Sequence, residues 1–111
     1  MIHQMKLASE PFNKIATGNK IIESRLFDEK RQLINVGDEI FFIQNEDPEE
    51  NIKTIVTAIY NYPSFEKLFS HFPPEYFGGT SKAFLLEEIN SFYPKNEQEK
   101  YGVVGIKIKL I

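Results

Sequence analysis

The sequence predicts an α+β domain in which five strands curl into a small, mostly antiparallel β-barrel. Three observations support this class. Apolar residues alternate or cluster in five short runs bounded by turn residues, a pattern typical of strands. Helical spacing is confined to one segment near the N-terminus and to one region before the last strand. No repeat, low-complexity tract or linker interrupts the 111 residues, so residues 1–111 are interpreted as one domain.

The N-terminal part is predicted to be strand, helix, strand. Residues 2–7 alternate weakly between apolar and polar side chains. Ser9 is a suitable N-cap for a short helix, and Gly18 is a suitable stop for it. A strand over residues 20–26 follows.

A β-hairpin is predicted next. The turn Val36-Gly37-Asp38 leads into a strong strand from Glu39 to Gln44. Residues 45–51 are acidic and contain proline, as expected of a loop. The β-branched and aromatic residues of 52–62 then form the second strand of the hairpin.

Two helices are predicted before the last strand, over residues 64–72 and 81–93, with Pro73-Pro74 between them. We expect this helical region to cover an opening of the barrel. Residues 94–100 are predicted to be a polar loop. Phenylalanines at helical spacing are assigned to the core rather than to a ligand surface: Phe65, Phe69, Phe72, Phe84 and Phe92.

The last predicted strand covers residues 101–111. Val104, Ile106 and Ile108 alternate there with Gly105, Lys107 and Lys109. This alternation predicts one buried face and one solvated face.

Composition excludes several kinds of site. The chain has no cysteine, which excludes a disulfide framework and a thiolate metal site, and its two histidines are too few for a histidine-rich site. We predict no metal and no cofactor. The net charge of −3 argues against a basic surface extending over the whole protein, but it is compatible with a local basic cleft. With no bilayer-length apolar run and no secretory signal, we expect a soluble, cytoplasmic protein without a membrane partner.

The stretch from Gly18 to Arg31 concentrates charged residues within a strand-forming sequence. Period-2 alternation leaves neither face of this strand cleanly apolar, so we infer that one face lines a cleft. There Lys20, beside Glu23, is a candidate general base or carbonyl-polarising group, and the fork of Arg25 suits a phosphate or carboxylate. The simpler alternative is a surface ion-pair cluster, worth at most about 1 kcal/mol.

Four further residues are weaker candidates. Glu75 and Tyr76 lie between the two predicted helices, where the carboxylate can face the cleft and the ring can stack on a base. A loop anchored by its aromatic residues explains them equally well. Arg31 belongs to a mixed-charge segment whose simpler interpretation is a solvated loop. Tyr101 begins the last predicted strand, near the expected rim of the cleft.

The sequence resembles the ASCH domain (activating-signal-cointegrator homology). The motif G-x-K-x-x-E-x-R occupies residues 18–25, and the resemblance rests on Pro11, Phe12, Ile15, Gly18, Lys20, Glu23, Arg25 and Leu26. It continues through residues 28–42, with their V-G-D turn, and includes the final Y-G-V-V strand. The resemblance implies a PUA-like β-barrel with a cleft beside the motif, and recognition of RNA or a nucleotide.

One bacterial branch of the family is similar to acetylcytidine amidohydrolases. Their proposed catalytic set is a lysine, a threonine three residues later, and a downstream glutamate. Lys20 matches the lysine, and Arg25 matches the arginine that follows. Glu23 stands at the threonine position, so the nucleophile is missing, and the glutamate falls near Glu75. The resemblance therefore implies a candidate catalytic set of Lys20, Glu23 and Glu75.

Two functions remain open at this point. One is an RNA- or nucleotide-binding domain, whose candidate ligand-binding residues are Lys20, Glu23, Arg25, Arg31, Tyr76 and Tyr101. The other is an amidohydrolase of a modified nucleoside such as acetylcytidine, in which Lys20 and a carboxylate activate water. Because Lys20 and Glu23 held close together tend to stay charged and paired, we place binding ahead of catalysis. The expected partner is RNA, a nucleotide or a modified nucleoside, and no DNA partner is expected.

Overall fold

The computed structural model describes residues 1–111 and contains a five-stranded sheet and four α-helices. The strands are β1 (Ile2–Leu7), β2 (Ile22–Leu26), β3 (Glu39–Gln44), β4 (Asn51–Tyr62) and β5 (Val103–Leu110). The helices are α1 (Ser9–Ala16), α2 (Phe65–Ser70), α3 (Lys82–Phe92) and α4 (Lys95–Tyr101). Short 3₁₀ turns occupy Arg31–Leu33 and Pro74–Phe77. The predicted α+β class is confirmed.

The sheet is mixed and curls into a half-barrel with strand order β1-β3-β4-β5-β2. β1 pairs in parallel with β3, and the other three pairings are antiparallel, including the predicted hairpin of β3 and β4. A bulge between Val56 and Ala58 changes the register of β4 against β5. β1 and β2 are consequently the two edge strands.

The first hydrophobic core packs α1 against one face of the sheet. Phe12 and Ile15, one turn apart on α1, pack there against Ile40, Phe42 and Ile106. Each of these residues is nearly or fully buried. The core therefore fixes α1 against the strands, with its C-terminal end leading directly into the β2 region.

A second core lies against the other face of the sheet, and it corrects one prediction. Phe65 and Leu68 of α2 pack there with Leu85 of α3 and with Ile22 of β2. The helical region packs on this second face, and residues of α3 also border the space next to the edge strands β1 and β2. The first half of β5, Val103–Ile106, is buried on both faces, so the predicted solvated face is confined to the end of the strand.

Gly105 allows α2 to approach the sheet closely. A Cβ atom at this position would lie 2.9 Å from Leu68 Cδ1 and 3.2 Å from Ile22 Cγ2. Leu68 and Ile22 are themselves fully buried and have little room to move. The missing side chain is therefore part of the packing of the second core.

The predicted polar loop over residues 94–100 is wrong, because α4 forms there. Its sequence has no apolar periodicity, and the helix is held by the buried Gln98. The amide Nε2 of Gln98 donates to Asn90 Oδ1 at 2.9 Å and to the Tyr93 carbonyl at 3.0 Å. Tyr101 consequently ends a helix and does not begin the last strand. The longest helix, α3, has 11 residues, fewer than a helix needs to span a bilayer.

We expect Gly105→Val to lower the free energy of unfolding by about 1–3 kcal/mol, because the new side chain overpacks the second core. Urea unfolding monitored by circular dichroism measures this. Lys109→Val is the matched control, since Lys109 is exposed on the same strand. Equal midpoints for the two variants would contradict the packing described for Gly105.

Candidate functional site

The two edge strands are joined by one arginine. Arg25 lies on β2, and its Nη2 donates to the backbone carbonyl of Lys6 on β1 at 3.1 Å. The guanidinium thus spans the gap at which the half-barrel is open. The side chain of Arg25 is only 14% exposed, so its position is fixed by packing as well as by this hydrogen bond.

The carboxylate of Glu23 is held between two cations. Its Oε1 lies 2.7 Å from Lys20 Nζ, and its Oε2 accepts from Arg25 Nε at 2.8 Å. Glu23 is 3% exposed and belongs to the few buried polar or charged residues of the protein. Both carboxylate oxygens therefore have a charged partner, and the buried charge is compensated.

This pairing keeps Glu23 ionised. Burial alone raises the pKa of the Glu23 carboxyl. The charges of Lys20 and Arg25 and their hydrogen bonds outweigh this effect and lower the pKa from 4.5 to about 2. Burial lowers the pKa of Arg25, but the charge of the Glu23 carboxylate and its hydrogen bond raise it by more, so the net direction is upward. Lys20, Glu23 and Arg25 therefore form one ion-paired cluster, the charged triad.

Lys20 is positioned by the end of α1 and by the 3₁₀ turn over Pro74–Phe77. Its backbone N–H donates to the Lys14 carbonyl at 3.0 Å as the chain turns back after the helix. Gly78 follows the turn with a φ of +81°, and a Cβ there would lie 3.1 Å from Lys20 Cβ. Lys14 Nζ in turn donates to the Gly78 carbonyl at 2.8 Å. The stem of Lys20 therefore lies against glycine backbone.

Ser24 presents free backbone groups at the same edge. The Ile108 N–H donates to the Ile21 carbonyl, and the Phe27 N–H donates to the Gly102 carbonyl. In an antiparallel pair, backbone groups face the partner strand at alternate residues. The N–H and C=O of Ser24 consequently point away from β5, toward the open edge of β2.

These residues line a cleft of about 380 Å³ between the edge strands and α3. Lys20, Glu23, Ser24 and Arg25 are joined in its wall by Lys6, Leu7, Ala8, Pro11 and Asn45. The helical region contributes Phe69, Phe77, Leu85, Glu88, Ile89, Phe92 and Tyr93. The cleft thus combines a charged wall on β2 with a largely apolar wall that contains aromatic rings.

The acidic β3–β4 loop begins at the rim of this cleft. Asn45 lines the cleft, and its N–H donates to the Leu7 carbonyl at 2.8 Å. The residues that follow, 46–50, include four carboxylates and are all exposed. This end of the cleft is therefore unfavourable for a long polyanion.

The structure brings together only part of the predicted set. Lys20, Glu23 and Arg25 meet, but Glu75 and Tyr76 do not face them, which corrects that expectation. Glu75 is exposed, while the Tyr76 carbonyl accepts from the Ile21 N–H at 2.9 Å and its ring lies 6.3 Å from that of Phe72.

Two other predicted residues also lie elsewhere. Tyr101, half-buried at the end of α4, packs against the second core and is not part of the cleft wall. Arg31 lines a neighbouring cavity that shares Lys6 and Arg25 with the cleft. Their proposed roles in ligand binding remain predictions.

Sequence reasoning missed the residues that α3 contributes to the cleft. Phe92, which is predicted to lie in the core, is instead 71% exposed at the cleft wall. Tyr93 stacks on Phe65, with ring centroids 5.7 Å apart, and also lines the cleft. Glu88 lies one turn before Phe92. The spacing of Glu88 and Phe92 is a usable signal, because residues four apart share a helix face.

Comparison with protein families gives one match over nearly the whole chain. The model of the ASCH domain family matches residues 5–111. No curated protein matches the chain.

Several solved structures are similar to this one. The crystal structure of hypothetical protein PH0355 is 35% identical in sequence, with a TM-score of 0.88 and 100% of both chains covered. The solution NMR structure of protein PF0455 from Pyrococcus furiosus is 34% identical, with a TM-score of 0.79, covering 100% of this chain and 98% of that one. The ASCH domain from Lactobacillus crispatus is 15% identical (TM-score 0.72; 98% and 79% covered) and supports the fold alone.

The lowered pKa of Glu23 predicts an acid-sensitive contribution to stability. Because the folded-state pKa lies below the unfolded value, this contribution is complete above about pH 4.5 and is lost as the pH falls toward 2. The shift from 4.5 to about 2 corresponds to a loss on the order of 3 kcal/mol. Titrating the Glu23 side-chain carboxyl carbon by NMR measures its pKa directly.

Urea unfolding of Glu23→Gln at several pH values provides a second measurement. We expect the wild type to lose more stability than this variant between pH 4.5 and 2. Glu66→Gln is the control, because Glu66 forms an exposed ion pair with Lys82 at 2.7 Å. A Glu23 carboxyl that titrates near 4.5, or parallel pH profiles for the wild type and Glu23→Gln, would contradict the prediction.

Proposed function

The chain belongs to the ASCH domain family, which is PUA-like, and from this premise we propose that its cleft binds a single nucleotide unit, free or presented by an RNA. The charged triad of Lys20, Glu23 and Arg25 would hold the polar groups of that nucleotide. An aromatic ring of α3 would stack on its base.

We base the proposal on one observation: spare hydrogen-bond donors and an exposed aromatic ring line the same cleft. Lys20 donates to Glu23, and Arg25 donates to Glu23 and to the Lys6 carbonyl, which leaves further N–H groups on both cations. Those groups suit a base carbonyl or a phosphate oxygen. Phe92 offers the exposed ring.

The backbone of Ser24 adds one donor and one acceptor at the edge of β2. A neighbouring N–H and C=O can pair with the hydrogen-bonding edge of a base, as another strand would. This supports recognition of a base in addition to binding of charge. A base whose edge offers the matching acceptor and donor would bind the Ser24 backbone more tightly than a base whose edge does not.

The size and the rim of the cleft favour one nucleotide over a long strand. A volume of about 380 Å³ is within the range of small-molecule sites. The carboxylates of the exposed loop 46–50 begin next to Asn45 at the rim and would repel the phosphates of an extended RNA. The ligand is therefore a free nucleotide or a terminal or unpaired one.

We expect Phe92→Ala to weaken nucleotide binding by about 1–3 kcal/mol, the usual effect of removing one stacking ring. Isothermal titration with the four common nucleoside 5′-monophosphates measures this. Phe84→Ala is the matched control, because Phe84 is on the same helix and 48% exposed but does not line the cleft. Equal affinities for the two variants would contradict the proposed stacking.

A variant of the charged wall tests the other half of the site. Lys20→Ala should abolish binding while the circular dichroism spectrum stays that of the folded protein. A folded Lys20→Ala protein that binds every nucleotide like the wild type would overturn the proposal.

The affinity for short RNAs across a salt series shows whether the site contacts one phosphate or several. Each phosphate contact to a single strand steepens the slope of log affinity against log salt by about 0.7.

An amidohydrolase of acetylcytidine is the second candidate, and one observation favours it. Glu88 lines the cleft and has no cation within ion-pair distance. Glu23 is unsuited as a general base, because both of its oxygens are occupied and its pKa is lowered to about 2. Glu75 lies outside the cleft. Hydrolysis would therefore use Glu88 to accept a proton from the water that attacks the acetyl carbon, while Lys20 polarises the amide carbonyl. As the C–N bond breaks, Glu88 would return that proton to the amine nitrogen, which releases cytidine and acetate.

Incubation with acetylcytidine, followed by chromatography of released cytidine, tests this candidate. We expect release by the wild type to be abolished in Glu88→Gln and to persist in Glu87→Gln, whose exposed carboxylate lies next to it but not in the cleft wall. Absence of release by the wild type would contradict the hydrolase and leave nucleotide binding as the function of the cleft.

A further inference from the structure

A second cavity adjoins the cleft at the open edge of the half-barrel. It has a volume of about 290 Å³, and Lys6 and Arg25 line both it and the cleft. Gln4, Lys30 and Arg31 complete its polar wall. The Arg25 guanidinium, which donates to the Lys6 carbonyl, therefore borders both spaces.

The cavity is strongly basic in a protein of net negative charge. Four of its lining residues are cationic, and none is a carboxylate. Lys6 and Lys30 are exposed and have no carboxylate within 4.0 Å, while Arg25 pairs with Glu23. Against the formal net charge of −3, this concentration of cations attracts an anion locally.

The side chain of Arg31 has a buried N–H group without a hydrogen-bond acceptor. Its Nε is buried without any hydrogen-bond partner, the one such side-chain atom in the protein. Its Nη1 reaches Asp28 Oδ2 only at 3.4 Å, which is a long contact for an ion pair. A buried N–H without an acceptor is unfavourable. Because this Nε is closed to solvent, an oxyanion in the cavity would reach Arg31 through its Nη groups, which donate only to Asp28.

We propose that this cavity is a phosphate site that takes the phosphate group of a nucleotide whose base occupies the cleft. The assignment to a nucleotide rests on the proposed function of the cleft, whereas binding of the oxyanion rests on the cavity alone. Arg31 holds the phosphate through its planar fork, and Lys6 and Lys30 add charge. Arg25 lies where the base-binding and phosphate-binding spaces meet.

Titration of the ¹⁵N-labelled protein with inorganic phosphate, against sodium chloride at equal ionic strength, tests the site. We expect the Nε–H signal of Arg31 to shift in a saturable manner with phosphate and not with chloride. Lys30→Gln should weaken phosphate binding, and Lys67→Gln, an equal charge change on α2 outside the cavity, should not. The absence of a saturable shift beyond that of chloride would overturn the inference.

Affinities for cytidine and cytidine 5′-monophosphate connect the cavity to the cleft. The wild type should bind the monophosphate roughly tenfold more tightly or better, as expected for a charge-assisted contact, and Arg31→Gln should lose this preference while keeping its affinity for cytidine. Equal loss of both affinities in Arg31→Gln would overturn the assignment of Arg31 to the phosphate.

The outcomes separate this inference from the proposed function. If phosphate shifts the Arg31 signal but neither cytidine nor its monophosphate binds the cleft, the phosphate site stands and the nucleotide proposal fails. If cytidine binds and phosphate does not, the cleft stands and the phosphate site is overturned. A saturable phosphate shift with no preference for the monophosphate supports a site for the free anion.

Discussion

The buried carboxylate of Glu23 is the constraint on which the architecture of the site depends. The negative charge of a carboxylate that is 3% exposed needs positive charge beside it. Lys20 and Arg25 supply this charge, and each pairs with one oxygen of the carboxylate. Those two cations come from different places: Lys20 follows α1, and Arg25 reaches across to the carbonyl of Lys6 on β1. One charged group therefore joins the end of a helix and both edge strands.

Packing on two faces of the sheet gives this charged group a fixed frame. Phe12 and Ile15 anchor α1 in the first core, which sets where the chain turns toward Lys20. Gly105 lets α2 lie close to the sheet in the second core, and α3 packs beside α2. The aromatic wall of the cleft thus comes largely from the helical region, while the charged wall comes from β2 and from Lys20 just before it. Sites built on regular elements hold their geometry better than sites built on loops.

The sequence predicted the charged wall but not the aromatic wall, and the reason is physical. Lys20, Glu23 and Arg25 are close in sequence on and beside one strand, so local spacing is enough to group them. Phe92 needs the packing of α3 against the sheet, and helical periodicity alone does not separate a core face from a cleft face. Tyr76 was misplaced because its carbonyl, rather than its ring, meets the β2 region at Ile21. The helix α4 was missed because its stability comes from the buried amide of Gln98, which has no periodic signature.

Chemical-shift mapping with a nucleoside 5′-monophosphate shows whether the charged triad and the exposed ring of Phe92 form one binding site. The amide signals of the ¹⁵N-labelled protein are followed as the ligand is added. We expect the largest shifts to occur together at Ser24 and Arg25 on β2 and at Phe92 and Tyr93 around the end of α3. Shifts confined to other surfaces, or no shifts at millimolar ligand with any of the four common bases, would contradict this expectation.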